Sequence, residues 1–444
     1  MYKVSKFGGS SLSSVQEWKK VKAIVEADDD RHIIVVSAIG KALPTDNKVT
    51  DLLYLVYQHH KYHVAYDSLF REVKEKYLSI KRELGLNVDI ESDFDEIQER
   101  LENDRISEEE LVSRGEYFSA RLMADYLGFD FVDSKELINF DYNGQVVEEE
   151  TLDCIERAVS VHDYMVVPGF YGSYPNYKIC LFSRGGSDVT GAYLAKGAKA
   201  DLYENFTDVS GFYMADPRII LHPRHISQIS YDELRELSYM GAGVLHEETI
   251  LPLIDEDIPI LVLNTNHPEE EGTWVKKEVT SRQHLITGIS GKKGFLALTF
   301  LKKRSVSKLS IILQVLNLFN AYHLQVEHIP TSIDTFSIVV EKNAMEEKYY
   351  DLIADLKRIP GILAITEDED LAMIAIVGGN MVHHAGASGE ILSVFGRHKV
   401  NVKLIDQGLE EYQILIGVSN ADFEKSIHAL YDRFAHEKLA PTAS

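Results

Sequence analysis

"KVSKFGGSS", Lys3 to Ser11, is the stretch whose reading decides the fold. An apolar, strand-like run leads into paired glycines and paired hydroxyls, and Ser14 to Ala27 then carries helical periodicity. Strand, glycine turn and helix in that order make a βα unit. The turn itself has two readings. In the plainer one, Ser10 or Ser11 caps the helix and the glycines only relieve the backbone. In the sharper one, Gly8 and Gly9 free backbone N–H groups, a helix starts near Ser13, and Lys6 adds a point charge, which together would cradle a phosphate. The spacing G-x-x-x-x-G-K-[ST] is absent, so a phosphate held here belongs to a kinase architecture other than the Walker A type.

Working outward, further strand-like runs are "HIIVVSA" (32–38), "YMVVPGF" (164–170), "KICLFS" (178–183), "ADLYENFTD" (200–208) and "IPILVLN" (258–264). Continuous apolar runs of this kind fit a mainly parallel sheet covered on both faces, a three-layer α/β/α arrangement. Residues 52–121 read as a charged helical excursion without a strand. Beyond 285 the pattern becomes two similar units. The first has strand "GFLALTFLKK", a helix from 307, strands "QVEHIPTS" and "TFSIVVEK", a second helix and strand "ILAITEDE". The second has strand "AMIAIVG", a helix from 387, strands "NVKLIDQG" and "YQILIGVS" and a helix from 421. This is βαββαβ followed by βαββα, an internal repeat lacking its last strand. "LITGISG" (285–291) supplies that strand if the second unit is discontinuous. The expected domains are therefore 1–284, 295–368, and 285–294 with 369–444.

A chain of 444 residues exceeds one ordinary core. Its formal charge of −24 argues against nucleic acid or an anionic membrane as partner. Cys154 and Cys180 make neither a metal spacing nor a disulfide framework, which fits a reducing compartment. No apolar run approaches a membrane span and the N-terminus reads as a strand, so the cytoplasm is the expected location.

Chemistry concentrates before residue 285. "LFSRGGSDVTGAYLA" (181–195) sets Arg184 at a strand end and Ser187 and Asp188 at a helix start. Ligands of open α/β sheets bind outside the carboxyl ends of strands, where an arginine can grip a carboxylate with two hydrogen bonds. An aspartate beside phosphates needs a cation, either Lys6 or Mg²⁺. "VVSAIGKALPTDNKVTDLL" (35–53) delivers Ser37 and Thr50 to the same edge, and "TDVSGFYMADPR" (207–218) follows another strand with a polar pair, a glycine turn, an aromatic and an arginine. "SRGEYFSARLMADYLG" sets Glu116 near the expected start of a helix, where the dipole tolerates a carboxylate.

"KFGGSS", "VVSA", "SRGEYFSARL", "VPGFYG", "SRGGSD", "TDVSGFYMADPR", "GVLH" and "IDQG" occur in the order and approximate spacing of the aspartate kinases of the amino-acid-kinase superfamily. The resemblance covers essentially the whole chain. It implies the amino-acid-kinase fold followed by two ferredoxin-like ACT domains, as in the monofunctional enzymes. It also implies transfer of the γ-phosphoryl of ATP, with Mg²⁺, to the β-carboxylate of L-aspartate. Carried over by position, Lys6 lies against the transferring phosphate and Asp188 organises the catalytic centre. Arg184 takes the substrate α-carboxylate and Glu116 its ammonium, with Ser37, Thr50 and Phe170 completing the pocket. Gly8, Gly9 and Ser187 line the phosphates; Thr207, Asp208, Tyr213, Arg218 and the Val244 backbone hold the nucleotide.

One departure stands out: "GAGVLH" carries Gly243 where similar enzymes commonly have a lysine, which implies weaker or altered nucleotide binding. The ACT resemblance implies feedback by an end-product amino acid and a homodimer or larger oligomer. Glu327 stands where an acid could accept a lysine ε-ammonium, with Ser310 at the helix turn and Ser332 nearby, so lysine is the expected effector and threonine the second. Kinases for another small acid, and a non-catalytic amino-acid sensor, are the rival readings.

Overall fold

The protein was analysed as a computed structural model that describes residues 1–183, 185–241, 245, 247–279 and 283–436. Among the described residues two compact units emerge: those within 1–212, 226–234 and 243–279 form the first, and those within 213–225, 235–242 and 280–444 the second. In chain order the first stretch contributes β1 (Lys3–Phe7), α1 (Val15–Glu26), β2 (Arg31–Val36), α2 (Val49–Lys61), α3 (Asp67–Leu84), α4 (Glu91–Glu102), α5 (Glu108–Leu127), β3 (Asp130–Phe131) and α6 (Glu148–Val161). It continues with β4 (Met165–Pro168), β5 (Tyr171–Ser173), β6 (Ile179–Leu181), α7 (Gly186–Gly197), β7 (Leu202–Thr207), β8 (Phe212–Tyr213), β9 (His225–Ile226), β10 (Gln228–Ser230), α8 (Tyr231–Tyr239), α9 (Glu247–Ile254), β11 (Ile260–Asn264) and β12 (Thr273–Lys276).

Among the described residues the main sheet has eight strands in the order β10-β12-β11-β7-β1-β2-β4-β3. Every pairing in it is parallel except β11 with β12. Strand alternation assigns the two faces of its centre. Phe7 and Phe206 stack at 4.7 Å on the face that α1 covers with Trp18, Val21 and Ile24. Ser5, Glu204 and Arg31 share that side; Glu204 accepts from the Ser5 hydroxyl at 2.7 Å and from Arg31 Nε at 2.7 Å, which satisfies a buried carboxylate. Lys6, Asn205 and Tyr203 point to the other face, toward α7. The two covered faces make the three-layer arrangement.

Local sequence explains the ends. Ser14, rather than Ser10 or Ser11, caps α1, accepting from Glu17 N–H at 3.4 Å. Ser10 and Ser11 instead sit in a 3-10 turn (Gly9–Leu12), and the buried Ser11 hydroxyl bonds that of Thr265 at 2.7 Å. The excursion is four helices, α2 to α5. "KICLFS" yields only β6, which pairs antiparallel with β5 outside the main sheet; Gly172 of β5 packs directly on the Ile138 backbone.

The second unit carries β13 (Gly288–Lys302), α10 (Lys308–Ala321), β14 (Thr335–Glu341), α11 (Lys342–Met345), α12 (Tyr349–Lys357), β15 (Ile362–Val377), α13 (Ala387–Arg397), β16 (Leu404–Gln407), β17 (Gln413–Val418) and α14 (Phe423–Phe434). Its sheet runs β14-β13-β15-β17-β16 with every pairing antiparallel. "LITGISG" and "GFLALTFLKK" merge into β13, and "ILAITEDE" and "AMIAIVG" into β15. Gly294, at φ 87°, marks a register shift within β13. Residues 288–293 pair with 372–377, and residues 297–302 pair with the earlier part of β15. Separate apolar clusters lie on the two halves, one around Phe300, Phe319 and Phe336, the other around Ile374, Phe395 and Leu430. "QVEHIPTS" forms no strand; only bridges His328–Val339 and Thr331–Phe336 tie it to β14, since Pro330 withholds a donor within it. Among the described residues no helix is long and apolar enough to cross a membrane.

Candidate active site

The parallel register sets Lys6 of β1 beside Asn205 of β7. Both are buried, and both reach Asp188 in the first turn of α7: Lys6 Nζ lies 2.6 Å from Asp188 Oδ1, and Asn205 Nδ2 donates to the same oxygen at 2.7 Å. A buried lysine is costly without a partner, and here the carboxylate supplies one. The Tyr203 hydroxyl donates to the Asp188 carbonyl at 3.1 Å, and burial holds that phenol well above its usual range. A methyl group at Gly8 would stand 3.5 Å from Lys6 Nζ, so the glycine leaves the ammonium approachable from the turn.

The second part of the site is a cavity of about 440 Å³ at the carboxyl ends of β1 and β2. It brings together five residues singled out from sequence: Gly9, Ser37, Thr50, Glu116 and Asp208. The adjoining loops need close glycine contacts. Gly40 N–H donates to Gly9 carbonyl at 2.8 Å, and a Cβ on Gly40 would sit 2.5 Å from Gly9 backbone atoms.

Glu116 lies in the middle of α5, not near its start, so the helix N-terminus does not support its charge. Gly115 lets Ala38 approach to contact, and Tyr77 of α3 donates to Gly115 carbonyl at 2.7 Å, sealing the helix over the side chain. Burial pushes the Glu116 carboxyl up to about 8, and its Oε2 has no hydrogen-bond partner. An orphan buried carboxyl oxygen beside a cavity is a binding group waiting for a donor.

Phe170 sits at φ 80°, a strained value for a side chain this large. Its N–H donates to Thr190 Oγ1 at 3.1 Å, while the same hydroxyl donates to Gly186 carbonyl at 2.8 Å. Ser187 packs against Gly169, where any Cβ would be 2.6 Å from Ser187 Cβ. The β4–β5 turn is thereby clamped onto the start of α7. Thr207 closes β7 and its hydroxyl donates to Asp208 at 3.1 Å. Tyr213 and Arg218 fall within the second unit, where Tyr213 meets His225 edge-on and Arg218 forks onto Asp216. Arg184, Gly243 and Val244 lie outside the described residues.

Sequence reading missed Asn205 and Tyr203, although a polar residue two places after a tyrosine in an otherwise buried strand was a usable signal. It also passed over Lys41 and Lys48, which line the cavity. In the second unit Ser310 is exposed in the first turn of α10, Ser332 N–H closes a turn onto Thr335 carbonyl at 2.8 Å, and Glu327 accepts from the Tyr239 hydroxyl at 2.7 Å.

Residues 1–264 match the amino acid kinase family and residues 374–434 match an ACT domain. Aspartokinase 3 of Bacillus subtilis (strain 168) is 34% identical, over 97% of this chain and 98% of its own length. The crystal structure of Clostridium acetobutylicum aspartate kinase superposes with a TM-score of 0.88 at 40% identity, covering 97% of this chain and 99% of that one. Escherichia coli aspartokinase III, solved with aspartate and ADP and again with lysine and aspartate, shares the fold: TM-score 0.78 at 22% identity in both cases, covering 97% and 98% of this chain and 99% and 100% of those chains.

Proposed function

The chain belongs to the amino acid kinase family as an aspartokinase, and from that membership we infer how its own residues carry the γ-phosphoryl of ATP to the β-carboxylate of L-aspartate. The products are 4-phospho-L-aspartate and ADP. The attacking group is already a carboxylate at neutral pH, so no strong general base is needed. The barrier is repulsion between that carboxylate and the triphosphate, and positioning with charge neutralisation answers it. Lys6, fixed by Asp188 and Asn205, offers its ammonium to the transferring phosphoryl across Gly8. The Gly8 N–H, expected from sequence to be free, instead donates to the Phe206 carbonyl at 3.2 Å, so the phosphate oxygens fall to the backbone N–H groups of Gly9 and Ser187, with Gly8 lining the phosphates by its lack of a side chain. Glu116 takes the substrate ammonium, Arg184 its α-carboxylate, and Ser37, Thr50 and Phe170 fix its orientation. Thr207, Asp208, Tyr213, Arg218 and Val244 hold the nucleotide.

Among the described residues no three acidic or imidazole side chains converge, while Asp208 is an exposed carboxylate on the cavity wall. A Mg²⁺ bound with the nucleotide would have Asp208 as its protein neighbour. The ion supplies neutralisation of the triphosphate charge when bound.

The repeat beyond 285 is read as tandem ACT domains at 295–368 and at 285–294 with 369–444, the catalytic domain being 1–284. Lysine is the first effector to test, given the lysine complex of the E. coli relative, with Ser310, Glu327 and Ser332 around it. Pairing of ACT domains across copies makes the protein a homodimer or larger, and the cytoplasm, which supplies ATP and keeps Cys154 and Cys180 reduced, is its place of action.

The observation that carries the substrate reading is the unpartnered, buried Glu116 oxygen at a cavity shared with the glycine cradle. The test is hydroxamate trapping with ATP, Mg²⁺ and a panel of small acids. Aspartate gives the signal and glutamate and carbamate do not, and Lys6→Met drops turnover by about 10³-fold, the scale of losing a preorganised charge. Signal from another acid, or full turnover in Lys6→Met, rejects the reading.

A further inference from the structure

The aspartate cavity has more positive charge than the residues just assigned to it. A dicarboxylic amino acid presents two carboxylates and one ammonium, and a phosphoryl group then joins one carboxylate. Lys6 is already bound to Asp188 at 2.6 Å and does not line the cavity. The cations that do line it, among the described residues, are Lys41 and Lys48. Neither ammonium has an ion-pair partner among the described residues.

Their loop is built to keep them so. Val49 N–H donates to Ile39 carbonyl at 3.3 Å and closes its base, with Lys41 and Lys48 just inside the two ends. The acid within the loop, Asp46, is spent on the backbone: it accepts from Ala42 N–H at 3.1 Å and from Leu43 N–H at 3.0 Å. Lys48 also stands at the N-cap of α2, whose first turn receives no side-chain cap, so the helix end adds attraction for an anion at the same wall. Opposite in charge, Glu116 contributes the fully buried, unpartnered oxygen that marks the cavity as a ligand site.

We propose that Lys41 and Lys48 form the cationic wall that holds a carboxylate of the aspartate substrate, and so set the enzyme's preference for a dicarboxylic acceptor. Glu116 takes the ammonium and the lysine pair faces a carboxylate, so each sign of charge on the ligand meets its opposite on the cavity wall. This rests on the aspartate kinase reading of the cavity.

The test is steady-state kinetics of Lys41→Ala, Lys48→Ala, the double variant and Lys48→Arg, with unfolding temperatures recorded for each. Each alanine variant raises the aspartate KM by roughly tenfold, the loss of one charge-assisted contact. The double variant raises it further, the ATP KM stays within about twofold, and Lys48→Arg restores most of the affinity. Added salt weakens aspartate binding in the parent protein and less so in the double variant. An unchanged aspartate KM in a folded double variant, or a rise confined to the ATP KM, overturns the proposal. A parent protein without aspartate-dependent ADP release would overturn the underlying reading instead.

Discussion

In the role proposed for it, Glu116 would meet the substrate ammonium from the wrong protonation state. With its carboxyl pushed up to about 8 by burial, it is mostly protonated at pH 7 in the ligand-free protein, yet an ammonium needs the carboxylate. Binding aspartate must then release a proton. The aspartate KM is expected to fall as pH rises from 6.5 to 8, by up to about tenfold per unit, and to level off above 8. Glu116→Gln gives a raised KM with no such slope; a flat profile in the parent protein would remove Glu116 from the substrate. The same shift bears on stability. Because the folded value exceeds the ordinary 4.5, the contribution of this group is fully present below 4.5 and is lost as pH rises through about 8. The sequence grouped Glu116 with Ser37 and Thr50, and the three line one cavity, but it did so for the wrong reason, since helix-start dipole support and burial beneath Ala38 and Tyr77 have opposite effects on a carboxylate. Local spacing carried no trace of α3 closing over α5.

At the level of elements, the site depends on two loops that cross at Gly9 and Gly40. A methyl group on Gly40 meets Gly9 backbone at 2.5 Å, and neither side is a flexible side chain that could yield. Gly40→Ala should therefore cost about 1–3 kcal/mol as an overpacked contact and move the loop that carries Ser37 and Lys41. The expected readouts are a lowered unfolding temperature and an aspartate KM raised more than the ATP KM. Unaltered kinetics would mean that the crossing is not part of the pocket. The strand-glycine-helix order of β1 and of β6 to α7 was legible because glycine pairs punctuate apolar runs. What stayed hidden were contacts made by register: Lys6 meets Asn205 only because β1 and β7 are neighbours, and residues so far apart in the chain carry no local sign of that. The merging of predicted strands into β13 and β15 was hidden for another reason. Gly294 looks like a terminator, but at φ 87° it bends a strand that continues.

Across the whole molecule, a formal charge of −24 favours a cationic effector over an anionic one. Glu327, proposed above as an effector contact, already accepts a hydrogen bond from the Tyr239 hydroxyl at 2.7 Å. In the proposed effector role, a lysine ε-ammonium that takes the same oxygen, Oε2, displaces that hydroxyl, and Tyr239 then competes for the carboxylate. The two halves of the five-stranded sheet share β13 and β15 as continuous strands, so a change at one half is borne by the backbone of the other. Lysine at millimolar concentration should inhibit aspartate phosphorylation in the parent protein. Glu327→Gln should abolish that inhibition with the aspartate KM unchanged. Tyr239→Phe removes the competing hydrogen bond, worth about 1 kcal/mol, and should lower the half-inhibitory lysine concentration by roughly fivefold. The direction separates the two roles open to Tyr239. If the tyrosine merely props up Glu327 for the effector, its loss weakens inhibition; if it competes, its loss strengthens it, and activity indifferent to lysine in all three proteins rejects the effector assignment of Glu327 altogether.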